Sequence, residues 1–294
     1  MLYAENIEEL KTKGYTIVRN IINSKEILEY EKEFTNWLDN NPNIYTLHEL
    51  IHNSGIFKFF NVGHQRFAWL LRTNQKIQEV FKEIWGCEEL VTSFDGCCLF
   101  KSEEYYLNKH WTHSDQSYYK KGLSCVQSFV SLTDNKEKTF VVYEGSHLLH
   151  ESYCEEYEVY NDIQWTEICK EYTNKIKDTK RILEVNKGDL VLWDSRTFHQ
   201  NTPGKYDNSE RRLVQYICFL PKNSELNTDE ENELRRYFFE NKITTTHFPY
   251  PMKDIPKQPL YFNMCYPEYA IYIDYDKINN TYIDDLIPEI EKIL

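Results

Sequence analysis

His113 and Asp115 sit two residues apart in a polar stretch, and that spacing already has chemical content. Residues two apart on an extended segment project to the same side, so an imidazole and a carboxylate there can grip one ion. Two ligands do not make a reactive centre. A non-haem iron that must also accept a bidentate cosubstrate and oxygen needs a third protein ligand and open positions, the arrangement of two histidines and one carboxylate. The third ligand should lie on another strand, and His199 qualifies. Gly188-Asp189 makes a turn, Leu190 to Trp193 reads as a buried strand, and His199 follows, with Asn201 two further on and on the same side if the chain stays extended. Arg212 then opens an apolar strand, where its guanidinium can hold a carboxylate through two parallel hydrogen bonds. A lone H-x-D pair recurs by chance; the pair, a distant histidine and an arginine in that order are far more specific.

Other side chains compete for these roles. His110 would reach the same ion only from a helix, so a surface role is expected. His147 and His150 follow Glu144-Gly145-Ser146 and are read as structural histidines of a turn. Arg211 is the decoy for Arg212: strand parity puts Arg212, Val214 and Tyr216 on one face and Arg211, Leu213 and Gln215 on the other, so one arginine points inward, and we assign Arg212. Gln127 lies within an otherwise apolar strand, and a buried amide needs a partner. Orienting an oxoacid or substrate, and a plain structural hydrogen bond, are both open to it. His64 is a weaker candidate for the pocket lining. Trp193 reads as core.

The elements that must position these residues divide the chain of 294 residues into three stretches of what we read as a single domain. Residues 1–88 are a supporting region of helices and a strand, 89–221 a β core with a helical insertion near 150–180, and 222–294 a C-terminal extension. In the first stretch Gly14 ends a short helix, Tyr15 to Ile22 reads as a strand, and Ser24 caps a helix over 25–39 whose apolar residues recur at three-and-four spacing. A second amphipathic helix follows Asn74 and stops near Gly86. The segments 90–100, 124–133, 139–143, 182–185, 189–193 and 212–220 alternate or are β-branched, and that density of short strands fits a barrel or sandwich. A helical insertion near 160–176, a polar helix near 227–241 and a short terminal helix that packs back complete the pattern.

Composition excludes several classes. With 47 acidic and 34 basic residues the net charge is −13, and no basic cluster tracks a phosphate backbone, so nucleic acid is a poor partner. No run approaches the ~18 apolar residues of a membrane span, and the start lacks a basic and then apolar leader. Eight cysteines without a C-x-x-C pair read as reduced core thiols. These features predict a cytoplasmic protein acting on a small molecule, off the membrane.

From Gly63 to Pro221 the residues resemble the phytanoyl-CoA hydroxylase-like branch of the iron(II)/2-oxoglutarate dioxygenases. The likeness is carried by GHQRFAWLLR, SFDG, HWTHSDQS, CVQSFVSLTDN, VVYEGSH, GDLVLWDSRTFHQN and RRLVQYICFLP, in that order. It implies an α+β fold with a double-stranded β-helix (jelly-roll, cupin-like) core and N-terminal supporting helices. It implies Fe(II) on His113, Asp115 and His199, the distal carboxylate of 2-oxoglutarate on Arg212, and Asn201 beside that site. The reaction implied consumes O₂, releases succinate and CO₂, and hydroxylates a C–H bond of a small-molecule or acyl substrate; the carboxylate at Asp115 favours hydroxylation over halogenation. Two departures stand out. Lys138-Thr139-Phe140 replaces the usual Gly-Gly, and Glu144 the usual Pro, both expected in a loop near the substrate mouth. A loop over the entrance is expected at Glu103 to Tyr119. Two rivals are a cupin-like metalloprotein without an oxoacid and a non-catalytic binding module on the same fold; an inward Arg212 separates the first from the dioxygenase.

Overall fold

The computed structural model describes residues 4–51, 54–102, 109–205, 208–259 and 273–294. Strands run at Tyr15–Val18 (β1), Ile56–Phe57 (β2), Leu90–Thr92 (β3), Cys97–Phe100 (β4), His113–Ser114 (β5), Val126–Ser131 (β6), Lys138–Tyr143 (β7), Thr166–Glu167 (β8), Lys180–Ile182 (β9), Leu190–Asp194 (β10), His199–Pro203 (β11) and Arg212–Pro221 (β12). The chain forms two compact units, Met1–Asn20 with Phe100–Arg212, and Ile21–Leu99 with Leu213–Leu294.

The first unit carries every candidate site residue except His64. One of its sheets runs β1-β10-β6 and the other β8-β5-β11-β7-β9, with antiparallel pairs throughout. The inner faces meet through aromatic rings: Phe129 of β6 lies 5.5 Å from Phe140 of β7, and Phe140 lies 4.7 Å from Trp193 of β10. Strands β6, β7, β10 and β11 are buried along their whole length. That is why β10 reads as a near-continuous apolar run, while β6 buries Gln127, Ser128 and Ser131 among its apolar residues. β11, with sequence HQNTP, is equally buried yet polar, so hydrophobic pattern does not reveal it as a strand. Gly14 is required where it stands. Its φ is +83°, and a Cβ there would meet His147 Nδ1 at 2.5 Å and Thr197 Oγ1 at 2.6 Å.

In the second unit the helix over Ser24–Asn40 is capped by Asn23, not by Ser24. The Asn23 side chain accepts from Lys25 N and Glu26 N, and the Glu26 carboxylate accepts from Asn23 N, a closed capping box. The helix Gln75–Trp85 starts on Asn74 and stops at Gly86 with φ 61°, as its sequence predicts. Helices at Pro42–Ile51 and Arg66–Arg72 have no counterpart in the sequence reading. The second is short and apolar through most of its circumference, which hides a helical period. Strands β3, β12, β4 and β2 form this unit's ladder. The C-terminal segment packs back as expected, Thr92 N donating to Ile293 O at 3.0 Å.

Other expectations shift. The 90–100 segment is two strands, because Ser93 to Gly96 break the ladder. The strand expected at Ile182–Val185 is β9, Lys180–Ile182, with Val185 making an isolated bridge to Asn135. The insertion is α-helical at His150–Glu156 and Lys170–Lys175, with β8 between them and a 3-10 turn at Lys177–Thr179. Lys138 to Phe140 belong to strand β7 rather than to a loop, and Lys138 is buried. The expected entrance loop lies outside the described residues from 103 to 108, and its remainder carries β5.

Candidate metal centre

The ladder between β5 and β11 sets His113 directly opposite His199. Asp115 follows β5, its N–H donating to Ser195 O at 2.8 Å, which turns the chain just after the ligand pair. The result is a cluster of His113, Asp115 and His199 whose ligand atoms all lie within 4.8 Å of one another. Asp115 Oδ1 is 3.6 Å from His113 Nε2, and Asp115 Oδ2 is 3.2 Å from His199 Nε2. Relative exposures of 6, 9 and 4% make this a nearly dry place for a carboxylate.

The tautomers follow from the surroundings. His113 Nδ1 is 2.9 Å from Trp111 O and His199 Nδ1 is 2.8 Å from Thr197 O, in each case the carbonyl two residues earlier. A carbonyl only accepts, so each Nδ1 carries the proton and donates it. Each Nε2 then turns a lone pair toward the Asp115 carboxylate. Three acceptors converging in a dry site repel one another unless a cation lies among them. Two imidazoles and a carboxylate are the donor set of a non-haem iron facial triad, so the residues present fit that ion.

A second tier of contacts fixes these three. Gln127 Nε2 donates to Asp115 Oδ2 at 3.0 Å, which gives the buried amide its partner. The structure places Gln127 on the carboxylate of Asp115. Thr197 is held by Oγ1 on Gly14 O at 2.8 Å, so the close approach at Gly14 steadies the carbonyl that braces His199. Gln116, fully buried, accepts from Ser195 Oγ at 2.7 Å and donates to Lys120 O and Gly122 O, tying down the chain after Asp115. Thr112 Oγ1 donates to Gln200 Oε1 at 2.7 Å, locking β5 to β11 from behind. Sequence reasoning missed Gln116 and Gln200; their only signal is a glutamine directly after each of two candidate ligands.

Arg212 points inward, 1% exposed, its guanidinium 5.1 Å from the centre of the Phe129 ring, while Arg211 is half-buried. Phe140, against Phe129, also lies 5.2 Å from the His199 ring, so Phe129 and Phe140 link the arginine to the metal side. Asn201 lies opposite Phe140 and is buried. The approach to Arg212 is clamped. Glu210 accepts from the backbone N–H of Lys136, Glu137 and Lys138 at 3.0–3.2 Å, and Asn135 Nδ2 donates to Arg211 O at 2.9 Å. Around His113 lie two indoles also missing from the sequence reading of the site: Trp111 at 4.8 Å and 25°, and Trp165 at 5.9 Å and 27°.

The competing histidines fall away. His110, His147 and His150 set Nε2 on the carbonyls of Ile168, Lys11 and Gln116 at 2.8, 2.9 and 3.0 Å, so all three are structural, though their partners lie far along the chain rather than within the turn. Burial holds the His150 pKa below its ordinary value. His64 is a core residue of the second unit, bonded to Ile243 O at 2.8 Å among Trp69, Phe94 and Phe239. Trp193 is core and also lines the site, 5.4 Å from the His199 ring.

Comparison with known proteins agrees with this geometry. Ava biosynthesis cluster protein O from Aspergillus versicolor is 28% identical over 273 residues, spanning 84% of this chain and 87% of its own. A hypothetical protein of Escherichia coli superposes with a TM-score of 0.61 at 12% identity, over 85% of this chain and 77% of that one. EctD from S. alaskensis, solved with 2-oxoglutarate and 5-hydroxyectoine, has a TM-score of 0.53 at 14% identity, over 75 and 76% of the two chains. HygX from Streptomyces hygroscopicus, solved with nickel and 2-oxoglutarate, has 0.50 at 13%, over 76 and 88%. At such identities the solved structures establish the fold, an α+β chain on a jelly-roll core. Residues 10–206, more than half of the chain, match the phytanoyl-CoA dioxygenase family (PhyH), and the protein belongs to that family.

Proposed function

We propose that this protein is an iron(II)- and 2-oxoglutarate-dependent dioxygenase that hydroxylates a C–H bond of a small molecule. The observation that carries the reading is the convergence of His113 Nε2, His199 Nε2 and the Asp115 carboxylate, with both imidazoles held in the ligating tautomer by backbone carbonyls. His113, Asp115 and His199 would hold the iron, and Arg212 the distal carboxylate of 2-oxoglutarate. With both bound, the chemistry supplied is oxidative decarboxylation by O₂, giving succinate and CO₂, coupled to hydroxylation of the substrate.

The chain's own residues do the rest. Asp115 lowers the charge of the site and, through Gln127, keeps one orientation. Arg212, desolvated against Phe129, offers a planar fork that matches a carboxylate far better than an ammonium would. Its inward direction favours an oxoacid enzyme over a cupin-like protein without one. Asn201 extends from β11 beside this region. Phe140 and Trp193 exclude water from the space next to His199. A cytoplasmic location belongs to the proposal, supported by seven described cysteines that are all free thiols.

Anaerobic addition of Fe(II) and then 2-oxoglutarate should produce a weak visible charge-transfer band, and admission of O₂ should release succinate. Metal binding without the band, or succinate formation that survives removal of both His199 and Asp115, would overturn the reading.

A further inference from the structure

The segment 157–169 lies as a strap along the strand that carries His113. β8 pairs with β5, Glu167 opposite His113 and Thr166 opposite Ser114. Ile168 N donates to Thr112 O at 2.8 Å, Ser117 N to Gln164 Oε1 at 3.1 Å, and Ser117 Oγ to Asn161 O at 2.9 Å. A strap pinned so often for packing alone would turn its large apolar side chains inward. Ile168 does so, with Tyr157 and Val159 packed against the same cluster, whereas Tyr160, Ile163 and Trp165 are 51, 60 and 44% exposed, and Tyr119, just past Asp115, is 60% exposed. Tyr118 connects the two groups, its ring 5.1 Å from Tyr160 and 5.6 Å from Tyr119. The shelf reaches the metal centre through Trp165, whose indole is nearly parallel to the His113 imidazole.

We propose that this shelf binds the substrate and that Trp165 selects a neutral, ring-bearing small molecule over an acyl-coenzyme A. The inference rests on the reading of His113 as an iron ligand, since that places the reacting C–H beside Trp165. Exposed aromatic faces favour flat or cyclic apolar partners that can stack on them. Charge argues against the thioester. The strap carries Glu158, Asp162 and Glu167 and no lysine or arginine. Lys121, at its border, is engaged by Glu151 at 3.3 Å and lies over the Tyr118 ring. Three coenzyme phosphates arriving here would meet carboxylates, where a phosphate site needs convergent donors.

The test is equilibrium dialysis of 2-naphthol and, separately, of coenzyme A against the anaerobic Fe(II)- and 2-oxoglutarate-loaded protein, for the wild type, Trp165→Ala and Trp165→Phe. We expect saturable naphthol binding, weakened about tenfold or more in the alanine variant and within about threefold of wild type in the phenylalanine variant. Iron content and the 2-oxoglutarate charge-transfer band should be equal in all three, and coenzyme A should neither bind nor displace naphthol. Absent naphthol binding, equal affinity in Trp165→Ala, or displacement by coenzyme A would overturn the proposal. So would loss of iron from Trp165→Ala, which would make the indole a brace for His113. A wild-type dimer that Trp165→Ala disperses would overturn it too, by assigning the shelf to a second copy. Failure of wild-type succinate release reads separately: it would sink the dioxygenase assignment while the dialysis still decides what the shelf holds.

Discussion

His64 in the second unit and the pair His113 and His199 in the first are almost equally buried and do opposite things. In the second unit, His64 turns Nε2 to the carbonyl of Ile243 and is otherwise surrounded by aromatic rings. In the first, His113 and His199 turn Nδ1 to a carbonyl two residues back and leave Nε2 facing Asp115. His48, His110, His147 and His150 all follow the pattern of His64, with Nε2 on a backbone carbonyl. Burial therefore does not mark a ligand here. What marks it is which ring nitrogen the backbone consumes, because a short tether through Nδ1 aims the distal nitrogen away from the main chain.

The comparison breaks most readily at the metal. His199→Ala should lose iron and cut succinate formation by about 100-fold or more, since even second-tier partners of a ligand are worth about 10–100-fold. His64→Gln should stay within about threefold of wild type if it folds, as a residue that only packs and bonds one carbonyl would. Iron analysis and succinate assays on both variants check this; comparable losses would erase the distinction. Arg212→Met comes next. Removing a desolvated charge from its partner costs at least about 2 kcal/mol, so the KM for 2-oxoglutarate should rise by about 30-fold. Arg212→Lys should recover little of it, because an ammonium lacks the fork.

Smaller effects sharpen the picture. Gln127→Leu removes the amide at 3.0 Å from Asp115 without touching a ligand, and iron affinity should fall by about tenfold. Competition with a calibrated chelator measures it, and an unchanged affinity would return Gln127 to the role of core residue. Glu210→Ala releases three backbone N–H groups of the turn before β7 and frees the approach to Arg212. It should raise the KM for 2-oxoglutarate about threefold while lowering kcat less, with Glu210→Gln closer to wild type because an amide oxygen still accepts.

The same contrast explains what the chain discloses in advance. Strands β6 and β10 and the helix between Asn74 and Gly86 are legible because burial, period and caps agree. The strands that hold the site are not legible in that way. β5 is two residues long, and β11 is polar along its whole buried length. Their hydrogen-bonding side chains find partners only once the sheet exists, so only ligand chemistry, H-x-D and a later histidine, betrays them. Gln127 was visible as an anomaly but not assignable, because its partner Asp115 lies on another segment. Trp165 was hidden for a different reason. The part of the expected helical stretch that precedes Lys170 is an extended strap, and its Tyr160, Ile163 and Trp165 serve an exposed face while Ile168 joins the core.

The smallest effect concerns His64 and pH. Burial, reinforced by the charges of Arg72 and Lys242, holds its pKa well below the ordinary 6.5, against a smaller opposing effect of the bond to Ile243. A histidine depressed in the folded state binds its proton more readily when unfolded. Its contribution is thus complete above about pH 6.5 and erodes as pH falls below that value, at no more than about 1.4 kcal/mol per pH unit. Denaturant unfolding at pH 7.5 and 5.5 should therefore show a larger acid loss in wild type than in His64→Gln. Equal slopes for wild type and His64→Gln would mean that the aromatic cage tolerates an imidazolium.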